Sequence, residues 1–241
     1  SKIAPADFRV GDKHNYWVNG NLGQVRIVGR IERVTEHAFW VFDEETDFSP
    51  GGLDIAIEIF ENVIWPTVTE IFGGVAAPGM DDQQRIIILH TQLSSGIAGY
   101  YSSDDQYLSS IVPHSNEGTV LYINLESARV GTSRYLTTLT HELQHASHWV
   151  ADPDEDTWVN EGLADLAARR AGFLARNVTP FLMQPNTQLN AWASDYKDTA
   201  AHYGAASLFI EFLADHYGGD EFVKTLIKRP ENGIDGIEAA L

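Results

Sequence analysis

The sequence contains no cysteine. That absence excludes a disulfide framework, thiol catalysis and cysteine-ligated zinc, while it leaves the cellular compartment open. Positive charge is also scarce, since 16 lysines and arginines stand against 34 aspartates and glutamates, for a formal net charge of −18. So acidic a chain is not expected to bind nucleic acid or anionic membrane surfaces. A solvated acidic surface is the preferred interpretation of the excess, and calcium binding is the alternative.

Long apolar runs are missing as well. No segment approaches the roughly 20 apolar residues that a membrane-spanning helix requires, so no membrane crossing is expected. The opening residues Ser1-Lys2-Ile3-Ala4-Pro5 lack the apolar stretch of a signal peptide. A trimmed chain would look the same, so export stays open. With 241 residues, of which 44% are hydrophobic, the chain can bury a sizeable core in one or two domains.

The first fifty residues predict β structure. Segments 16–18, 24–35 and 38–42 are rich in Val, Ile and aromatic residues, and Asn19-Gly20-Asn21 is a turn signal. Apolar and polar residues alternate within 25–34, as expected for strands with one wet face. Further strands are predicted at 85–90, 97–102 and 119–124.

Helical spacing begins at residue 53 and continues to 72. Pro66 should break or kink this helix near Trp65, and Gly73-Gly74 should end it. Strands followed by helices indicate an α+β fold. We expect a β-rich segment over 1–48 and a second unit over 49–241, although the β segment could also pack directly onto the rest. Later helices are predicted at 133–150, 158–172, 201–217 and 221–228.

The motif His-Glu-x-x-His stands in the first of these later helices, from His141 to His145. Residues four apart lie on one helix face about 5–6 Å from each other, so two imidazoles there can bind one zinc ion. Glu142 follows the first histidine, where its carboxylate can reach a water molecule beside the ion without ligating. The pattern indicates a hydrolytic zinc site with Glu142 as the base.

A catalytic zinc usually takes a third protein ligand and keeps one position open. His148 lies roughly 10 Å along the helix axis from His141, too far to share the ion. The acidic loop 152–156 is interpreted as a solvated turn. Glu161 is the best candidate, near the start of a helix that can pack on the first. Asp165, one turn later, can accept the outer N–H of a ligating histidine.

These residues carry a family resemblance. His141-Glu142-Leu143-Gln144-His145, followed by Asn160-Glu161-x-x-Ala164-Asp165, resembles the thermolysin-like zincins, or gluzincins. The wider pattern is similar to exported bacterial peptidases of the hyicolysin type. The gap between the second histidine and Glu161 is shorter than in thermolysin itself.

The resemblance implies that 49–241 is a zincin-type catalytic domain, with a small sheet beside the active-site helix and a mainly helical C-terminal half. It implies zinc ligation by His141, His145 and Glu161, with Glu142 as base and Asp165 supporting His141. It also implies a secreted, zinc-dependent endopeptidase. Protein or peptide substrates are the expected partners, and we expect a monomer.

Two parts of the site are predicted less directly. Gluzincins place a His or Tyr opposite the metal, and Tyr203 and His202 are the candidates, with Tyr203 ahead. Substrate is expected to add a strand at an exposed sheet edge near Gly99 and Tyr100, with Tyr101 beside them. Two other functions stay open: a zinc amidase or esterase on a non-protein substrate, and a non-catalytic binding module.

Overall fold

The computed structural model describes residues 8–21, 23–75, 85–193 and 199–241. Both helices and strands are present, and the α+β class predicted from the sequence is confirmed. All of the predicted strands occur, with ends shifted by a few residues. The strands are β1 Lys13–Gly20, β2 Gly23–Val34, β3 Ala38–Asp43, β4 Ile86–Thr91, β5 Gly99–Tyr101 and β6 Val120–Asn124.

The four later helices predicted from periodicity are confirmed as α3, α4, α6 and α7 in the following list. Two short helices, α5 and α8, were not predicted. Among the described helices, none combines the length and apolar character needed to cross a bilayer. The helices are α1 Pro50–Ile59, α2 Trp65–Phe72, α3 Ser133–Ala151, α4 Thr157–Arg170, α5 Thr179–Met183, α6 Thr199–His216, α7 Asp220–Leu226 and α8 Gly233–Ala240.

The described strands form one mixed sheet in the order β1-β2-β3-β4-β6-β5. The strands β1, β2 and β3 pair antiparallel, and β3 pairs parallel with β4 along Ala38 to Phe42. The strand β4 continues in parallel to β6, and β5 closes the far side antiparallel to β6. The strands β1 to β3 therefore pack directly onto the rest, because they share one sheet with the later described strands.

Side-chain alternation along β3 divides the core between the two faces of the sheet. Trp40 and Phe42 join the larger cluster beneath the helices, whereas Phe39 and Val41 join a smaller cluster on the opposite face. Complete burial of each such side chain contributes roughly 1.5–3 kcal/mol. The helices therefore pack against one face of the sheet through a shared hydrophobic cluster.

The regular α-helical pattern is interrupted just before Pro66, where a break or kink was predicted. A π-helical turn, Phe60–Ile64, joins the two helices, and the Trp65 amide donates to the Phe60 carbonyl. Pro66 stands in the first turn of α2, where its missing N–H is not needed. Gly73 ends α2 with φ of 92°, a conformation that favours glycine.

Candidate metal centre

The helix α3 carries the His-Glu-x-x-His motif. Its N-terminus is capped by Thr132, whose side chain accepts a hydrogen bond from the Tyr135 amide. An apolar face holds α3 in the core, through the buried side chains of Leu136, Leu139, Leu143 and Ala146. His141 and His145 lie on another face, which turns towards α4.

The structure brings His141, His145 and Glu161 together. One donor atom of each lies within 4.8 Å of the others. Nε2 of His141 is 3.0 Å from Oε2 of Glu161, and Nε2 of His145 is 3.7 Å from the same oxygen. The two imidazole rings stand at 89° to each other, with centroids 4.7 Å apart. The two nitrogens thus converge on one carboxylate oxygen.

The outer nitrogen of each imidazole is held by a different acceptor. Nδ1 of His141 lies 3.1 Å from Oδ1 of Asp165, as predicted. Nδ1 of His145 lies 3.0 Å from the amide oxygen of Asn160. Because both partners accept, each Nδ1 carries a proton in the tautomer that leaves Nε2 free for a metal. Asn160 stands in the motif that resembles the gluzincins, but the sequence analysis assigned it no contact.

A second residue missed from the sequence is Arg176, in the loop after α4. Its guanidinium donates from Nε and Nη2 to the two oxygens of Asp165, the second over 2.8 Å. The same group lies over the Tyr203 ring, 4.5 Å from the centroid. Arg176 belongs to no motif or periodic pattern in the sequence. Its contacts, Asp165 on α4 and Tyr203 on α6, arise only when the chain folds.

Opposite charges are concentrated in the cluster. Burial acts to lower the pKa of His141, but hydrogen bonds to Asp165 and Glu161 outweigh burial and raise the pKa to about 10. Burial acts to raise the pKa of Glu161, but the neighbouring imidazoles of His145 and His141 lower it well below its usual range. The charges of Glu161 and the two imidazoles therefore stabilise each other. Metal binding would displace the extra proton of a protonated imidazole, since a ligating nitrogen must be deprotonated.

Glu142 is buried, with 6% of its surface exposed, and does not belong to the donor cluster. Burial raises the pKa of its carboxyl, against the opposing effect of His141 and His145. The strand β5 approaches Glu142 closely at Gly99, where an added Cβ would lie 3.3 Å from Glu142 Cγ. This buried carboxyl therefore lies between the histidines and the edge strand.

Of the two candidates on α6, the structure brings only Tyr203 to the cluster. Its hydroxyl lies 3.4 Å from Oε1 of Glu161. His202 instead packs near Trp192, with ring centroids 5.5 Å apart. The helix α6 can approach α4 closely because Gly162 has no Cβ, which would lie 2.5 Å from Ile210 Cγ1.

The strand β5 lies at the edge of the described sheet, as predicted. Its two tyrosines point to opposite faces. Tyr101 packs against the cluster beneath the helices. Tyr100 stacks on Tyr122 on the other face, with centroids 4.1 Å apart, and its hydroxyl accepts from the Asn19 amide. Gly99 therefore adjoins Glu142, whereas the Tyr100 side chain lies on the other face of the sheet.

The loop after α3 was predicted to be a solvated turn, and Pro153, Asp154 and Asp156 are indeed exposed, but Asp152 is not. Asp152 is buried, with 7% of its surface exposed, and lies within reach of His148 and Glu155. As predicted from helix geometry, His148 takes no part in the cluster of His141, His145 and Glu161. The end of α3 therefore holds a second, separate group of side chains that could bind a metal ion.

The donor set at His141, His145 and Glu161 fits a zinc ion. Donors that bind tetrahedral zinc at about 2.0–2.1 Å lie roughly 3.3 Å apart. The distances of 3.0 and 3.7 Å from Glu161 Oε2 to the two imidazole nitrogens lie on either side of that value. Two neutral imidazoles and one carboxylate leave the fourth position for water, as in catalytic sites.

The chain matches no protein-family model, and no curated protein is significantly similar to it.

Proposed function

We propose that the protein is a zinc-dependent endopeptidase. The observation that carries the proposal is the convergence of His141, His145 and Glu161 beside the separate, buried carboxyl of Glu142. The resemblance of both motifs to gluzincins supports it. Zinc bound by these three residues would act as a Lewis acid, polarising a carbonyl and making water acidic.

The residues of the chain supply the proton transfers. Glu142, as a carboxylate, accepts a proton from the attacking water and then delivers it to the leaving amine. Its raised pKa suits both steps, because the group must take the proton and later release it. The Tyr203 hydroxyl beside Glu161 is placed to donate to the oxygen that becomes negative in the transition state. Asp165 and Asn160 hold the imidazoles in the required tautomer.

A peptide is the substrate class that the surroundings favour. The short strand β5 leaves one row of backbone groups unpaired at the edge of the described sheet, and an extended peptide can add to it as a further strand. Gly99 brings that edge close to Glu142. A small amide or ester would make no use of this edge.

We further propose that the enzyme acts outside the cytoplasm. Exported bacterial peptidases are what the motif pattern resembles, and a chain without cysteine folds without disulfide exchange in any compartment. Detection of the full-length protein in the culture medium would support export, and its confinement to the cytoplasm would contradict it.

Glu142→Gln tests the assigned reaction. The amide keeps the shape of the side chain but cannot accept the proton, so cleavage of casein or a quenched peptide should fall by about 10²–10⁴-fold. Zinc content and circular dichroism should be unchanged. Glu58→Gln, at an exposed position on α1, makes the same chemical change away from the site and should leave the rate unaltered.

Full activity in Glu142→Gln would remove the assigned base. If the wild type cleaves small amides or esters but no peptide or protein, the reaction class is right and the peptidase assignment is wrong. If the wild type binds zinc and hydrolyses nothing, the site serves binding alone.

A further inference from the structure

The end of α3 carries a second group of ligating side chains. His148 lies in the last turn of α3, Asp152 follows the helix directly, and Glu155 lies in the loop before α4. One donor atom of each lies within 4.8 Å of the others. No residue of this group belongs to the cluster of His141, His145 and Glu161.

His148 presents a free lone pair inside the protein. Its side chain is fully buried, and Nδ1 lies 3.1 Å from the amide oxygen of Asn160. Since that oxygen only accepts, the proton resides on Nδ1, and Nε2 is left as an acceptor. Nε2 is buried and has no hydrogen-bond partner in the described part of the chain. The same Asn160 oxygen therefore sets the tautomer of both His145 and His148.

Asp152 adds a second acceptor without a partner. Its Oδ1 accepts from the Asp154 amide over 3.4 Å, whereas the buried Oδ2 has no partner in the described residues. Glu155 is held in place by two backbone amides, since its Oε1 accepts from Asp156 and Gly233 over 2.6 and 2.7 Å. One imidazole and one carboxylate, each with an unpaired acceptor, thus lie beside a second carboxylate that is fixed in position.

Burial of these acceptors without a donor is unfavourable, because each has given up its hydrogen bonds to water. All three groups accept and, in these states, none donates to another. A cation satisfies them together, because one ion takes a lone pair from each. The mixed donor set of one imidazole and two carboxylates suits zinc, whereas calcium takes six to eight oxygen ligands.

We propose that His148, Asp152 and Glu155 form a second zinc site, structural in function. The ion would tie the last turn of α3 to the loop that leads into α4, the helix that carries Glu161 and Asp165. This site stands on its own donor atoms and does not depend on the proposed peptidase activity.

Zinc stoichiometry tests the site. The metal-free protein is dialysed against Zn²⁺ alone and its bound metal is measured by elemental analysis. We expect two equivalents in the wild type and in Glu231→Gln, an exposed carboxylate near the loop. We expect one equivalent in Asp152→Asn and in His148→Gln. Because His148 is buried and its replacement could unfold the chain, Asp152→Asn, checked by circular dichroism, is the deciding variant.

A thermal measurement separates the two sites. In Glu161→Gln, which weakens the first centre, Zn²⁺ should still raise the melting temperature, and adding Asp152→Asn should reduce that rise to what His141 and His145 alone support. A single equivalent in the wild type that Asp152→Asn retains would overturn the proposal, as would two equivalents in Asp152→Asn. Occupation of this group by Ca²⁺ in preference to Zn²⁺ would also overturn the assignment.

Discussion

Arg176 donates two hydrogen bonds to Asp165 and so occupies both oxygens of that carboxylate. Asp165 in turn accepts from His141. The orientation of the first imidazole therefore depends on a guanidinium that reaches back from the loop after α4. Arg176 also lies over the Tyr203 ring. One side chain therefore contacts both Asp165, which orients His141, and Tyr203, the proposed oxyanion donor.

Asp165→Asn should weaken zinc binding by about 10–100-fold. The amide has similar size but no charge, so it supports the His141 imidazole less strongly and leaves Arg176 without its ion pair. Competition with a chromogenic chelator measures the change. Asp215→Asn, which touches Arg170 at the other end of α6, serves as the control and should bind zinc normally. Unchanged affinity in Asp165→Asn would remove the positioning function assigned to Asp165.

Tyr203→Phe should reduce kcat by about 10²-fold, because one donor to the developing negative charge is lost. KM and zinc content should change little, since the ring and its contact with Arg176 remain. Steady-state kinetics on a quenched peptide gives both constants. Tyr217→Phe, at an exposed tyrosine just beyond α6, is the matched control. A rise in KM with kcat unchanged would instead assign Tyr203 to substrate binding.

Gly99→Ala should both destabilise the protein and slow cleavage. An added Cβ would lie 2.7 Å from Thr138 Cγ2 and from the Tyr122 carbonyl oxygen, so β5 must move away from α3. Such overpacking typically costs about 1–3 kcal/mol. Urea unfolding and peptide kinetics measure the two effects. Gly51→Ala in the first turn of α1 meets no atom within 4 Å and should be neutral. Normal activity in Gly99→Ala would argue against substrate binding along β5.

His90 should make the fold sensitive to acid. Burial lowers the pKa of this imidazole to about 4, while Nδ1 and Nε2 contact the Val41 carbonyl and the Tyr135 hydroxyl. In the unfolded chain the pKa of His90 is near 6.5, so the unfolded state binds the proton first as pH falls. The contribution of neutral His90 to folding stability is therefore complete above about pH 6.5 and is lost as the pH falls towards 4. Between pH 7 and pH 5, protonation of His90 in the unfolded state should lower the free energy of unfolding by about 2 kcal/mol.

The measurement is the free energy of unfolding in urea with excess chelator, at pH 7 and pH 5, for the wild type and His90→Gln. The variant should be less stable at pH 7, but its stability should fall less on acidification. Equal falls in the two proteins would show that His90 does not control this response.

Local signals in the sequence predicted most of the elements. Alternation of apolar and polar residues located the strands. Pro66 marked the interruption between α1 and α2, and Gly73 marked the end of α2. The pairing of β3 with β4 was not predictable in the same way, because it joins segments separated by two helices. The helix α8 was missed because two glycines interrupt its short apolar pattern.

The convergence of His141, His145 and Glu161 was predictable because fixed spacing on helices determines which side chains share a face. Arg176 has no such marker, since its contacts arise from a loop folding back over α4 and α6. The face that Tyr100 occupies was also undetermined. In a three-residue strand, alternation separates Tyr100 from Tyr101 but does not say which of them faces the helices.

The hydrogen bonds between β3 and β4 also bear on how the protein can be produced. A recombinant fragment that starts at residue 49 would lack β3, the strand that pairs with β4. It would also lack Trp40, a fully buried core side chain, and so would leave a cavity in the interior. The unpaired edge of β4 could then form backbone hydrogen bonds with strands of other molecules, so such truncated proteins should aggregate. Expression trials should therefore retain the first three strands, even when only hydrolysis is of interest.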